Sequence, residues 1–338
     1  MKLFDDSGYF NASTAFDCAE PFVFVIGGRG TGKTYGVIKE ALTRKEKFVF
    51  LRRTQSQLDN IAKSEISPFA PVCRDIGIDF DVVSINKNMS AYVEFPDGKQ
   101  EMRGLLCALS TISNLRGFDA QDCNIGIFDE FIAEPHEKPI KQEGLAFLNA
   151  YETINRNREL QGRNAFKMIC LANSFNIANP IFEELGLINE IDKARRKGKN
   201  VIVNEDRGLR VLMLNHSPIS GKKRKTALYK LTDNSGEFSE MSLDNAFAYN
   251  DFDCIASYPL TALQPIVRVN AICIYRVKGT DMFYCTRHRQ GAIVDLGNGE
   301  RAELKFRSDY LFSIWTAYKN SMIVFSDLET KTAFKKLI

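Results

Sequence analysis

The 338-residue chain has no C-x-x-C pair among its eight cysteines and only three histidines, so it lacks the clustered soft ligands that a zinc site needs. Scattered thiols of this kind fit a reducing compartment. No stretch approaches the ~20 consecutive apolar residues of a membrane span, and the opening MKLFDDSGYFN has neither the cationic start nor the apolar centre of a secretion signal. A strong charge bias is missing too. Forty-five Lys and Arg against forty-two Asp and Glu leave +3, so nucleic acid would have to meet a local basic patch rather than a polycationic surface. What remains is a folded, mixed-composition protein with 44% apolar residues and a length that suggests about two domains.

Order along the chain is informative. Phe22 to Ile26 (FVFVI) reads as a strand buried on both faces and breaks into GGRGTGKT, after which Tyr35, Ile38 and Leu42 fall at helical spacing. KFVFL, residues 47–51, is a second buried strand ending on Arg52 and Arg53. Residues 79–108 alternate around Pro96-Asp97-Gly98, predicting a hairpin inserted between core strands. IGIF, residues 125–128, is followed by Asp129 and Glu130; a helix carries Phe147, Tyr151 and Ile154; KMICLA, residues 167–172, is a further strand ending on Asn173 and Ser174. This alternation, from 22 to about 214, predicts an α/β domain with a parallel sheet and helices on both faces. The expected organisation is a domain over 1–215, a polar linker module over 216–250, and a smaller strand-rich α/β domain over 251–338 whose strands include VNAICIYRV, MFYCTRH and MIVFS before a terminal helix TKTAFKKLI.

Gly27, Gly32, Lys33 and Thr34 spell G-x-x-x-x-G-K-T between a strand and a helix, the context a phosphate-binding loop requires. Backbone N–H groups from Gly27, Gly28, Arg29, Gly30, Thr31 and Gly32 through Tyr35 would surround phosphate oxygens. Lys33 would reach the β and γ phosphates, and Thr34 would ligate Mg²⁺. Asp129 is the expected metal-side carboxylate, holding Mg²⁺ through water beside the Thr34 hydroxyl, and Glu130 the group that orients and polarises the attacking water, which favours hydrolysis of ATP over transfer to an acceptor. Asn173 would sense the γ-phosphate, or simply close an Asx turn. Arg29, Arg156 and Arg158 are candidates for neutralising charge on the transferring phosphoryl group. Lys193–Lys199 (KARRKGK) and the KKRK of residues 222–225 are either phosphate contacts to nucleic acid or solvated faces.

The set FVIGGRGTGKTY, FVFLRR, IFDEFI, INRNRE, ICLANS, KRKT and GEFSEMSLDNAF, spanning about residues 22–247, resembles the DNA-packaging motor ATPases (encapsidation proteins) of small phi29-type tailed bacteriophages. The resemblance implies an ASCE-type P-loop NTPase. It also implies a homopentameric ring docked on a procapsid through a structural RNA and the portal, driving double-stranded DNA into the shell. It places Arg156 as the finger offered to a neighbouring subunit's ATP and Arg116 as a second residue acting across that boundary. It makes the C-terminal domain an RNase H-like nuclease relic without cleavage activity. Such a protein works in the host cytoplasm, bound transiently to the procapsid, and is absent from the mature virion. Another ring-forming DNA motor, a helicase or DNA-pumping ATPase, shares the loop and the carboxylates, as does a scaffold that uses ATP as a switch.

Overall fold

The computed structural model describes residues 2–115, 120–134, 136–173, 176–231 and 254–338. The chain divides into two compact units, residues 1–185 with 194–249, and residues 186–193 with 250–338.

The first unit is organised by a nine-stranded sheet of β1 (Phe22–Gly27), β2 (Phe48–Arg52), β3 (Phe80–Asn86), β4 (Met89–Glu94), β5 (Glu101–Ala108), β6 (Ile125–Asp129), β7 (Lys167–Ala172), β8 (Val201–Asn204) and β9 (Leu209–Leu214), in the order β3-β4-β5-β2-β6-β7-β1-β9-β8. The central strands β5, β2, β6, β7, β1 and β9 are mutually parallel, whereas β3, β4 and β8 extend the edges antiparallel. β7 lies between β1 and β6, the arrangement of an ASCE-type P-loop fold. All-parallel central strands bury both faces, which is why FVFVI is continuous in apolar character. Its alternation still sorts the faces. Val23 and Val25 join Val37, Ile38, Phe50 and Phe69 on one side, while Phe24 packs against Phe131, Phe147 and Phe182. Each such phenylalanine contributes about 1.5–3 kcal/mol of burial.

The expected hairpin in 79–108 is present as β4 and β5, and β3 extends it into a three-stranded meander. Pro96-Asp97-Gly98 turns β4 into β5, and β5 then joins β2 in parallel as a central strand. Helices α1 (Ser13–Phe16), α2 (Lys33–Thr43), α3 (Gln55–Ile61), α4 (Phe69–Ile76), α5 (Glu143–Asn155) and α6 (Pro180–Glu184) cover the sheet. α7 (Ile188–Arg196) follows, then α8 (Ile219–Lys223) and α9 (Ala227–Leu231), which occupy the start of the segment read as a linker. The rest of that segment, 232–250, lies outside the described residues, as does Arg116.

In the second unit a sheet of β10 (Leu263–Val269), β11 (Ile272–Val277), β12 (Phe283–Thr286), β13 (Val294–Asp295) and β14 (Ile323–Phe325) runs in the order β13-β10-β11-β12-β14. VNAICIYRV is therefore not one strand. Asn270, at φ 51°, turns the chain between β10 and β11, which pair antiparallel. Helices Glu300–Asp309, Leu311–Lys319 and Leu328–Leu337 pack Phe306, Ile314 and Phe334 onto Val267, Ile274 and Phe325. The first two of these helices were not legible among the strand signals.

Candidate active site

Six parallel strands end at one edge of the first sheet, and the chemistry collects there. β1 ends at Gly27 and runs into the phosphate loop. Gly30 and Gly32 take φ of 68° and 83°, left-handed values that glycine adopts without a Cβ clash. α2 begins at Lys33 and is held by buried Val37, Ile38, Ala41 and Leu42. The register places Leu51 of β2 beside Phe128 of β6, and Asp129 beside Leu171 of β7, so Arg52, Asp129 and Asn173 emerge on adjacent strands.

These residues meet in one cleft of 380 Å³ lined by Arg29 to Tyr35, Asp129, Glu130, Glu134 and Leu171 to Asn173. Lys33 is buried, and its Nζ donates to the carbonyls of Gly27 (2.9 Å) and Gly28 (2.8 Å), to Thr31 Oγ1 (3.3 Å) and to Asn173 Oδ1 (3.3 Å). Thr34 Oγ1 donates to Asp129 Oδ1 at 2.8 Å. Burial pushes the Lys33 ammonium down to about 7, and the nearby cations Lys223 and Arg29 push the same way, against Asp129 and Glu130. Desolvation raises the Glu130 carboxyl above the usual glutamate range; Arg52 opposes this, while Asp129, Glu134 and Glu137 add to it. Glu130 has φ 57°, a strained backbone for a non-glycine residue and one that turns the chain sharply after β6.

The sequence reading missed the groups that hold this cleft together. Arg52 bridges the two carboxylates, with Nη2 at 2.9 Å from Asp129 Oδ2 and Nη1 paired with Glu130. Its Nε is buried without a hydrogen bond among the described residues. Arg53, fully buried, is bidentate on Glu143 of α5 and also pairs with Glu137. Arg29 pairs with Glu134. The signal was the pair of arginines closing KFVFLRR, but only the strand order reveals that β2 adjoins β6.

Other candidates lie elsewhere. Arg156 is the C-cap of α5, and the preceding Asn155 accepts from Phe166 N–H at the beginning of β7. Asn173 follows the end of that six-residue strand, and at about 3.3 Å per residue roughly 20 Å separates the two ends. Arg156 therefore does not reach the cleft of its own chain. Arg158 is buried, donates to the carbonyls of Gln121 (2.9 Å) and Cys123 (2.8 Å) and lies over Phe166; its role is structural, which corrects its reading as a finger. Of the KKRK run, Lys222 Nζ lies 3.5 Å from Ser7 O and Lys223 Nζ donates to Arg29 O, so these two lysines serve backbone carbonyls beside the loop. In the second unit Asp295 is shared by Arg268 and Arg289, Asp281 pairs with Arg276, and Asp327 caps the last helix through Thr330 N–H. Among the described residues no group of three or more His, Cys, Asp or Glu side chains is placed to hold a metal ion, and no helix is long and apolar enough to cross a membrane.

Comparison with known proteins agrees with this architecture. Residues 4–257 match the podovirus DNA encapsidation protein (Gp16) family. The DNA packaging protein of Bacillus phage phi29 is 28% identical over 249 residues, covering 72% of this chain and 67% of that protein. That of Bacillus phage B103 is 32% identical over 235 residues, 68% of this chain and 65% of the relative. In fold, the chain is similar to the bacteriophage phi29 viral genome packaging motor assembly, with a TM-score of 0.68, 23% identity and coverage of 99% and 98%. The Phi-28 gp11 DNA packaging motor gives a TM-score of 0.59 at 18% identity, covering 97% and 96%. With the nucleotide loop and carboxylates in one cleft, the chain belongs to the podovirus Gp16 DNA encapsidation family and is a viral DNA-packaging ATPase.

Proposed function

We infer that this cleft hydrolyses ATP with Mg²⁺ and that the released energy drives double-stranded DNA into a procapsid, with the chain working as a ring, a homopentamer by family likeness. The observation that carries the reading is the Thr34 to Asp129 hydrogen bond at 2.8 Å beside Lys33 and Glu130. Two hard oxygen donors in contact fit Mg²⁺, which when bound would neutralise phosphate charge. Lys33 exchanges the Gly27 and Gly28 carbonyls for phosphate oxygens, and the loop amides hold the rest of the triphosphate. Glu130 orients and polarises the attacking water; Asn173, already on Lys33, adds a polar contact to the γ-phosphate end. Arg29 lines the same cleft. Arg156, distant from its own cleft, is the group offered to a neighbouring subunit, with Arg116 as the second residue at that boundary. The partners are DNA, a structural packaging RNA, the portal and further copies of this chain, in the host cytoplasm and only transiently on the procapsid.

The second unit is read as a nuclease relic. Arg268 and Arg289 neutralise Asp295, which suits a structural acid better than a metal ligand. Incubation of the protein with plasmid and Mn²⁺ should leave the DNA intact; cutting abolished by Asp295→Ala would overturn that part. The motor reading is tested by Glu130→Gln, which should bind ATP and assemble while losing DNA- and procapsid-stimulated turnover by about 10²–10⁴-fold. Normal turnover refutes the assignment, and strand separation by the wild type would favour a helicase.

A further inference from the structure

α5 ends on a backbone that only a well-fastened loop can hold. Arg156 takes φ 46° and ψ −146°, a conformation that is costly for a residue with a Cβ and persists only where the surroundings enforce it. We propose that Asn155 is the positioning residue for Arg156: it fixes this backbone so that the guanidinium is presented to the neighbouring subunit's triphosphate in one pre-set geometry. The proposal rests on Arg156 being the finger offered across the subunit boundary.

Asn155 is buried, and its amide serves both ends of the loop. Nδ2 donates to Arg156 O at 3.2 Å and to Glu159 Oε2 at 3.0 Å, while Oδ1 accepts from Phe166 N–H at 2.9 Å, one residue before β7. A carboxamide of this length is the side chain that offers two donors and an acceptor in one plane. Aspartate would keep the bond from Phe166 and lose both donations. Alanine would lose all three and leave the buried Phe166 N–H without its acceptor.

A second set of bonds holds the far side of the loop. Arg158 N–H donates to Asn155 O at 3.3 Å, and Arg163 N–H donates to Arg158 O at 3.0 Å. The Arg158 guanidinium is committed to the carbonyls of Gln121 and Cys123, and Arg163 donates to the same Gln121 carbonyl. These carbonyls precede β6, and Asn124 O accepts at 3.0 Å from the N–H of Lys167, the first residue of β7. The loop is thus fastened where β6 and β7 begin. Arg158 and Arg163 anchor it as a whole, whereas Asn155 is the side chain bonded to the Arg156 carbonyl. A misplacement of about 1 Å can cost about 10²-fold in rate, so a group aimed at another subunit needs its own backbone fixed.

Full-length Asn155→Ala, Arg156→Ala and the double variant would be compared for thermal melting, for ATP binding by calorimetry and for DNA- and procapsid-stimulated turnover, each alone and mixed with Lys33→Ala subunits. Asn155→Ala should bind ATP as the wild type does, lose turnover by about 10²-fold, and regain part of it in the mixture, because its own nucleotide site is intact. The double variant should be no slower than Arg156→Ala, since Asn155 acts through that arginine and the two losses do not add. Asn155→Asp keeps the acceptor for Phe166 N–H and supplies the same readouts should alanine lower the melting temperature. Wild-type turnover in both Asn155 variants, absence of rescue where Arg156→Ala is rescued, or a double variant slowed by the product of the two losses would overturn the proposal. If Arg156→Ala itself is not rescued, the finger reading falls and the proposal with it.

Discussion

Thr34 and Asp129, separated by 95 residues, are joined by a 2.8 Å hydrogen bond from the threonine hydroxyl to the carboxylate. The strand order makes this possible, since β6 and β1 flank β7 and all three end at the same edge. Asp129→Asn keeps the shape but removes the charge. It should weaken Mg²⁺-dependent ATP binding by about 10–100-fold, while metal-free nucleotide binding changes little. Equal loss with and without Mg²⁺, read by titration in excess EDTA, would count against the metal-side role.

Arg52 is the counter-charge for both acids, so its removal leaves Glu130 under desolvation and its acidic neighbours alone. The Glu130 carboxyl is already raised, and Arg52 is what restrains it. Arg52→Ala should therefore move the acidic limb of the kcat–pH profile to higher pH and lower kcat near neutrality. An unshifted limb would show that Glu130 is not the titrating group.

Burial holds Lys33 down at about 7 against its ordinary 10.5. The folded chain therefore binds fewer protons than the unfolded chain between those values, and this lysine's contribution to stability rises with pH through that window. A triphosphate favours the charged ammonium, so nucleotide binding at pH 8.5 should take up a proton at Lys33. Calorimetry in buffers of different ionisation enthalpy reads this directly. Lys33→Met should abolish the uptake, and persistence of the same uptake in that variant would place it elsewhere.

Arg156 lies at the wrong end of β7 for its own nucleotide. Mixing Arg156→Ala with Lys33→Ala subunits should recover part of the turnover that each lacks alone, because each supplies the group the other has lost. Mixtures as inactive as their parents would return the finger role to Arg29.

Arg53 carries stability rather than chemistry. Its guanidinium is fully buried on Glu143, joining β2 to α5. Arg53→Ala leaves a buried carboxylate unpaired and should cost about 3–5 kcal/mol, seen as a lower urea midpoint with an unchanged slope.

Local signals were legible in the sequence where one segment contains the whole cause. FVFVI followed by GGRGTGKT predicts strand, loop and α2 because buried parallel strands are continuously apolar and the loop needs its glycines. Asp129 and Glu130 were legible as a strand-end pair. Relations between segments were not. Arg52 looks like any cation closing a strand until β2 is seen beside β6, and Arg158 looks like a finger until its carbonyl partners are seen. The β4–β5 hairpin around Pro96-Asp97-Gly98 is legible, but the pairing of β5 with β2 is non-local and is not. In the second unit, Asn270 breaks an apparently continuous strand through one left-handed residue, which hydropathy does not register.

The central claim is that the lysine-bearing loop and the acidic pair act on one nucleotide. Anomalous diffraction from crystals of the protein with Mn²⁺ and a non-hydrolysable ATP analogue tests it most directly. One manganese peak is expected within direct coordination distance of Thr34 Oγ1, on the side facing Asp129, with the terminal phosphate between Lys33 and Glu130. A nucleotide bound away from this edge, or a metal that touches neither Thr34 nor the Asp129 side of the cleft, would contradict it.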